Sequence, residues 1–337
     1  MIGLDTRPAV DGDQPAVLAL LQASLGWVPD EAYERFFAWK HRESPFGPSP
    51  AWVAVDGDRI VGFRTFMRWE FTRGGEVVRA VRAVDTATHP DYQGRGIFSS
   101  LTRHALDELA ADGVAFVFNT PNDKSRPGYL KLGWRLVGRL PVAARPRSLP
   151  ALVRVARART AADKWSAETD AGVPAPEALG DREAVARWLK AIDASTDAHA
   201  GADVLRTHRT PEYLAWRYGF GPLRYRALTV GDGEGLVVFR VRRRGEAREA
   251  AVCEELLPDD ERLRAEARRA VVKATGADHA VLIGPARPSR GLLPVPGHGP
   301  TLVWRAVTDD ESDGENVEAA VPGLDAWGLT LGDVELF

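Results

Sequence analysis

Apolar side chains recur along this chain with two periods, about three to four residues in some stretches and alternating or continuous in others, and those periods predict its elements. Val17, Leu18, Leu21 and Leu25 share one helical stripe, with Asp11 or Asp13 placed to cap it, Pro15 in its first turn and Gly26 at its end. The aromatic-rich stretch AYERFFAWKHRESPFGPSP follows. Two apolar runs then flank Asp56-Gly57, a strong hairpin signal, and a second hairpin turns at Gly74-Gly75, so an antiparallel meander is expected to end near Thr88. Ile97, Phe98, Leu101, Ala105 and Leu109 define another amphipathic helix that Gly113 ends. VAFVF reads as a buried strand, and a loop, a short helix and a strand from Trp134 to Leu140 complete the order.

From 142 to 176 the chain turns rich in Arg, Ala and Pro and poor in strand signals, as expected of a partly helical connection. Beyond 177, helical patterns at APEALGDREAVARWLKAIDAS and TPEYLAWRYGF precede three strand patterns, the charged helix DDERLRAEARRAVVKATGAD, and the strands HAVLIG and TLVWRAV. GLTLGDVELF reads as a final strand. The second half thus repeats the element order of the first, and 337 residues are enough for two cores. The expected fold class is α/β with mixed sheets, divided into a domain at 1–141, a connection at 142–176 and a second domain at 177–337.

Composition narrows the partners. With 45% hydrophobic and 27% charged residues and a net charge of -3, the chain has no global field to gather nucleic acid or an anionic membrane. One cysteine, Cys253, excludes an internal disulfide and reads as a buried thiol at a strand end. The N-terminus lacks the basic flank and apolar core of a signal peptide, and no stretch has the length of a membrane span, so a cytoplasmic protein is expected. The seven histidines form no HxxxH pair, and no metal site is expected.

The chemistry concentrates at HPDYQGRGIFSSL, residues 89–101, where Gly94 and Gly96 stand one residue apart just before a helix. Glycine there permits positive φ, close approach of a ligand, or close packing of the helix on a sheet. Unpaired amides and the positive helix end converge at such a place, which suits a phosphate, with Arg95 adding charge. A dinucleotide loop would share this logic, but the preceding meander is antiparallel, no third glycine completes GxGxxG, and no GK[ST] follows.

DTATHPDYQGRGIFSSL followed by NTPNDKSRPGYLKLGWRLVG resembles the acetyl-CoA-binding core of the GNAT superfamily of acyltransferases. Gln93, Gly94, Arg95 and Gly96 match the family's Q/R-x-x-G-x-G/A loop, and Asn122, Ser125, Tyr129, Gly133 and Trp134 match its second pattern. The resemblance covers roughly residues 4–141, whereas the second half looks like a degenerate copy, with no such loop after EAAVCEELLPDDER.

The resemblance implies acetyl-CoA as co-substrate, with loop amides from Gln93 through Ile97 and Phe98 on its pyrophosphate and the backbone of Thr86, Ala87 and Thr88 along its pantetheine arm. Asn122 and Ser125 join this cofactor set by their motif positions. Tyr129 matches the group that protonates the departing thiolate. For the base that frees the acceptor amine, Asp85 leads, followed by His89 and Glu70, and the terminal carboxylate of Phe337 is a further candidate. The aromatics of FFAWKH with Phe46, Trp52, Phe66, Trp69 and Arg64 suggest a sizeable, partly apolar acceptor pocket, although core packing accounts for most of them. The expected activity is N-acylation of a primary amine on a small molecule or peptide, with the second half shaping the acceptor site or an oligomer interface. An acyl-CoA sensor or scaffold, or a transferase using aminoacyl-tRNA, remain the alternatives.

Overall fold

The computed structural model describes residues 4–28, 30–151, 154, 160–199, 203–308 and 322–335. They fall into two compact units, one drawn from 1–72, 76–138 and 301–323, the other from 73–75, 139–300 and 324–337.

The first unit opens with β1 (Asp5–Pro8) and α1 (Gln14–Leu25), which Gly26 ends in the left-handed conformation at φ 72°. The aromatic-rich stretch is α2 (Glu31–His41), started by the Asp30 carboxylate accepting the Tyr33 amide at 2.9 Å. Next come β2 (Ala51–Asp56), β3 (Arg59–Arg73) and β4 (Glu76–Thr88), turning where the sequence predicts, with Gly57, Gly74 and Gly75 all at positive φ. After them come α3 (Ile97–Ala111), β5 (Phe116–Asn119), α4 (Arg126–Lys131) and β6 (Arg135–Arg139). One strand arrives from far along the chain: β15 (Thr301–Ala306) inserts beside β5, giving the order β1-β2-β3-β4-β5-β15-β6.

Two features of this sheet position the site. At Gly62 a Cβ would come within 2.5 Å of Ile97 and 3.2 Å of Leu101, so α3 packs against bare backbone there. β4 and β5 are parallel only from Ala80–Phe116 to Arg82–Phe118, and among the described residues no rung joins them beyond that point. Strand β4 runs on toward Thr88 beside β3 without β5, over a core of Val61, Val81, Leu101, Ala105, Val117 and Val303.

The second unit repeats the plan: an antiparallel β10 (Arg226–Val230), β11 (Gly235–Arg244) and β12 (Ala247–Leu256), the helix α8 (Glu261–Thr275), and β13 (His279–Ile283) parallel to β12. Its sheet runs β14-β7-β13-β12-β11-β10-β8, with β7 (Val142–Pro146), β8 (Val173–Pro174) and β14 (Leu293–Pro294). Short β9 (Arg206–Thr207), helices α5 (Ala175–Ala178), α6 (Arg182–His199) and α7 (Pro211–Gly219), and the terminal α9 (Leu331–Val334) complete the elements. Phe239, Val241, Ala250, Val271 and Ala280 anchor its core.

Three expectations are corrected. Residues 142–146, expected in a connection, form a strand paired with β13 from Val142–Ile283 to Pro146–His279. TLVWRAV, expected in the second domain, belongs to the first sheet because Val303 and Trp304 complete the buried surface beside β5. The expected final strand is instead the short α9, at whose start the Asp333 carboxylate accepts from both the Thr330 amide and the Thr330 hydroxyl. Cys253 lies inside β12 and is fully buried, and burial pushes its thiol up, away from the nucleophilic form.

Candidate active site

The loop between β4 and α3 folds as the glycines require. Pro90–Tyr92 make a single helical turn, and Gly94 and Gly96 take φ 76° and 79°, where residues with a Cβ are strained. A Cβ on either would meet no atom within 4 Å, so these glycines serve backbone conformation and open space. Gly96 precedes α3 with no side chain capping the helix. The first-turn amides of this helix therefore face outward unused by a side-chain cap, beside exposed Arg95, which donates to the Asp91 carbonyl at 3.0 Å and stacks over Tyr92. The matching place in the second unit is built oppositely. There the Asp260 carboxylate already accepts the Arg262 and Leu263 amides at 2.7 and 3.3 Å, filling the helix start with its own anion.

Around this loop the expected cofactor residues divide. Ala87 and Ile97 turn their side chains into the core, leaving only backbone for a ligand. The Thr88 carbonyl, expected to face the pantetheine arm, already accepts from Ser24 at 3.0 Å and Gln93 Nε2 at 3.4 Å. The Asn122 side-chain oxygen accepts the Lys124 and Ser125 amides and the Ser125 hydroxyl, so this pair organises the turn into α4. Asn119, at the end of β5 where it parts from β4, keeps a buried side-chain oxygen with no partner. That acceptor, the open loop and the separated strands fit an extended arm bearing amides and ending in phosphates.

Beneath the loop, α4 presents Tyr129, which is 5% exposed and lies edge-on to Phe98 at 5.4 Å and to Trp134 at 5.2 Å. Its hydroxyl oxygen accepts from Arg64 Nη1 at 3.0 Å, and the same nitrogen donates to the Thr86 hydroxyl. Arg64 is fully buried on β3 beneath the rings of Phe66, Phe98 and Tyr129.

Next to Thr86, Asp85 takes the unusual φ of 43° and turns its carboxylate inward. It meets Lys40 at 2.8 Å and His41 Nε2 at 2.8 Å, all three side chains being buried. Burial alone would push the Asp85 carboxyl up; the Lys40 charge and the His41 hydrogen bond overcome it and hold the group far below the usual carboxylate range. Burial also lowers the His41 pKa, against the opposing pull of Asp85, so the ring is neutral. Because an ionised carboxylate only accepts, Nε2 carries the proton and Nδ1 accepts from the half-buried Ser49 hydroxyl at 3.0 Å. Lys40 and His41 both meet the same oxygen, Oδ2, of an Asp85 carboxylate whose affinity for a proton is low, an arrangement suited to orienting His41.

The remaining candidates lie elsewhere. His89 caps the turn at Pro90, its Nδ1 accepting the Asp91 amide at 3.3 Å, and Glu70 sits half-buried on β3. Phe337 falls outside the described residues; in the second unit Glu335, two residues before it, is clamped by Arg240 at 2.8 Å and by Arg242. Trp52, Phe66 and Trp69, read as acceptor surface, are buried core. His41, Lys40 and Ser49 escaped the sequence reading as chemistry because α2 and the turn after it show only an aromatic pattern. Among the described residues, no three His, Cys, Asp or Glu side chains gather as metal ligands, and no helix is long and apolar enough to cross a membrane.

Residues 5–137 match the family model described as the acetyltransferase (GNAT) domain. Among solved structures, the chain is similar to a GCN5-related N-acetyltransferase from Kribbella flavida, with 19% identity, TM-score 0.61, and 90% of this chain and 72% of that one covered. A conserved protein of unknown function from Enterococcus faecalis V583, described as a probable N-acyltransferase, gives 13% identity and TM-score 0.63 over 90% and 73%. Eis1 from Mycobacterium abscessus gives 16% and 0.52 over 90% and 73%. At these identities the likeness is one of fold, and no curated protein matches the sequence significantly.

Proposed function

We propose that this chain, which carries a GNAT acetyltransferase domain over residues 5–137, transfers an acetyl or other short acyl group from coenzyme A to a primary amine on a small molecule or peptide. The observation that carries this reading is the uncapped start of α3 above two positive-φ glycines with open space, its first turn setting Phe98 edge-on to Tyr129. Amides from Gln93 to Phe98 hold the pyrophosphate, Arg95 adds charge, and the backbone near Thr86 with the free Asn119 oxygen aligns the pantetheine arm. Bound acyl-CoA supplies the thioester whose carbonyl carbon the amine attacks.

Tyr129 donates its proton to the leaving sulfur. Its oxygen is engaged by Arg64, so its hydrogen is the part left to give. The amine proton passes to Ser49 Oγ as the Ser49 hydrogen moves to His41 Nδ1, and the ionised Asp85 steadies the imidazolium that forms. Adjacent residues Asp85 and Thr86 join the two groups, one touching His41 and the other Arg64.

Thermal unfolding with and without acetyl-CoA tests the reading, with adenosine diphosphate as the partial ligand. At about 100 times its dissociation constant the cofactor stabilises the fold by roughly 2.7 kcal/mol. A rise in midpoint, followed by thiol release when amines are screened, supports the transferase. A rise without thiol release from any amine favours a sensor, and no rise rejects the cofactor.

A further inference from the structure

Arg64, Arg217 and Arg240 are each fully buried, and they differ in how their donors are used. Arg217 fills its fork with the Gly332 carbonyl, the Tyr225 hydroxyl and the Glu335 carbonyl. Arg240 directs Nε and Nη2 to the two oxygens of Glu335 at 3.0 and 2.8 Å, and Arg268 grips Glu255 with the same two nitrogens, each at 2.7 Å. In Arg64 this same pair, Nε and Nη2, is buried without any partner, and among the described residues no carboxylate forms an ion pair with it.

A guanidinium removed from water with its side-on fork empty is costly, and the aromatic faces of Phe66, Phe98 and Tyr129 offset only part of that cost. The fork matches the spacing of a carboxylate, as the Glu335 and Glu255 pairs within this molecule demonstrate. Its other nitrogen holds Tyr129 and Thr86, so an anion there would lie at the reacting end, away from the loop amides that suit phosphates. Thr86 and Phe98, which contact it, are themselves only half-buried.

We infer that the Nε and Nη2 fork of Arg64 receives a carboxylate carried by the substrate beside the thioester, which makes either the acyl group or the acceptor amine an acid. This rests on the acyl-CoA reading above. The acyl source is tested by calorimetric binding of malonyl-CoA and succinyl-CoA against acetyl-CoA. The acceptor source is tested by thiol release from acetyl-CoA with amino acids against their carboxamides. Both are run on the whole chain, on Arg64→Gln and on Arg64→Lys, with apo melting curves to show that the variants fold.

The inference expects a preference of about 10-fold or more for the carboxylate in one arm, reduced to near unity in Arg64→Gln. The lysine variant keeps charge without the fork and restores only part of it. A preference in the first arm places the acid on the acyl group, and one in the second places it on the amine. CoA thioesters that bind with no preference in either arm, or a preference that survives Arg64→Gln, overturn this inference and leave the acyl-CoA reading standing. Failure of every CoA thioester to bind overturns both.

Discussion

Arg64 Nη1 stands 3.0 Å from the Tyr129 hydroxyl oxygen and donates to it, which fixes the direction in which the tyrosine can give up its own proton. Tyr129→Phe keeps the ring against Phe98 and Trp134 and removes the hydroxyl, both its proton and the oxygen that accepts from Arg64. Turnover should fall on the order of 10²-fold while acetyl-CoA affinity stays unchanged. Steady-state kinetics beside calorimetry check this, and an unaltered turnover removes Tyr129 from the mechanism.

Gly94→Val places a branched side chain at φ 76° in the open space over the loop. The strain should lower apo stability by about 1–3 kcal/mol, and the side chain should abolish the rise in melting temperature on adding acetyl-CoA. Gly75→Val is the control, since that hairpin glycine has φ 81° and equally open surroundings. It should show similar strain and keep the ligand response.

The Lys40–Asp85 pair is buried on both sides, so removing one partner should cost far more than removing both. Asp85→Asn, which suits the left-handed backbone there, and Lys40→Met should each destabilise by about 3–5 kcal/mol. Denaturant titration of the double variant should show a loss well below the sum. Additive losses would mean that the pair is not coupled.

Burial lowers the His41 pKa in the fold and favours the neutral ring, whereas in the unfolded chain it titrates at about 6.5. Around that value the unfolded state binds more of the extra proton than the native state does, so stability falls as pH drops through this range. His41→Gln should flatten the slope of unfolding free energy between about pH 7 and 5. Turnover should fall as well, through loss of the relay from Ser49. A slope identical to the parent's would contradict the assigned neutral ring.

Much of this was legible because it is local. The hairpins at Asp56-Gly57 and Gly74-Gly75, the stripe from Ile97 to Leu109 and the glycines before it are settled by neighbours in sequence. What stayed hidden depends on distant pairing. Nothing near Lys40 or His41 signals that Asp85, more than forty positions on, will meet both. An aspartate at positive φ also gives no sign of itself in a strand pattern. TLVWRAV reads correctly as a strand, but its sheet is chosen by a partner in β5, almost two hundred residues earlier. For α9, the two bonds that Thr330 donates to the Asp333 carboxylate outweigh the alternating apolar pattern of the last residues.

The late arrival of β15 sets an order of events during synthesis. Every described strand of the second sheet has been synthesised by Pro294, before Thr301 appears, whereas the first sheet lacks a member between β5 and β6 until Ala306 has been added. The half that begins first is therefore the half that closes last. Through that interval the nascent chain carries an open strand edge of the kind that invites pairing with other chains. A gene fragment ending near residue 141, drawn around the recognisable loop, would make that condition permanent.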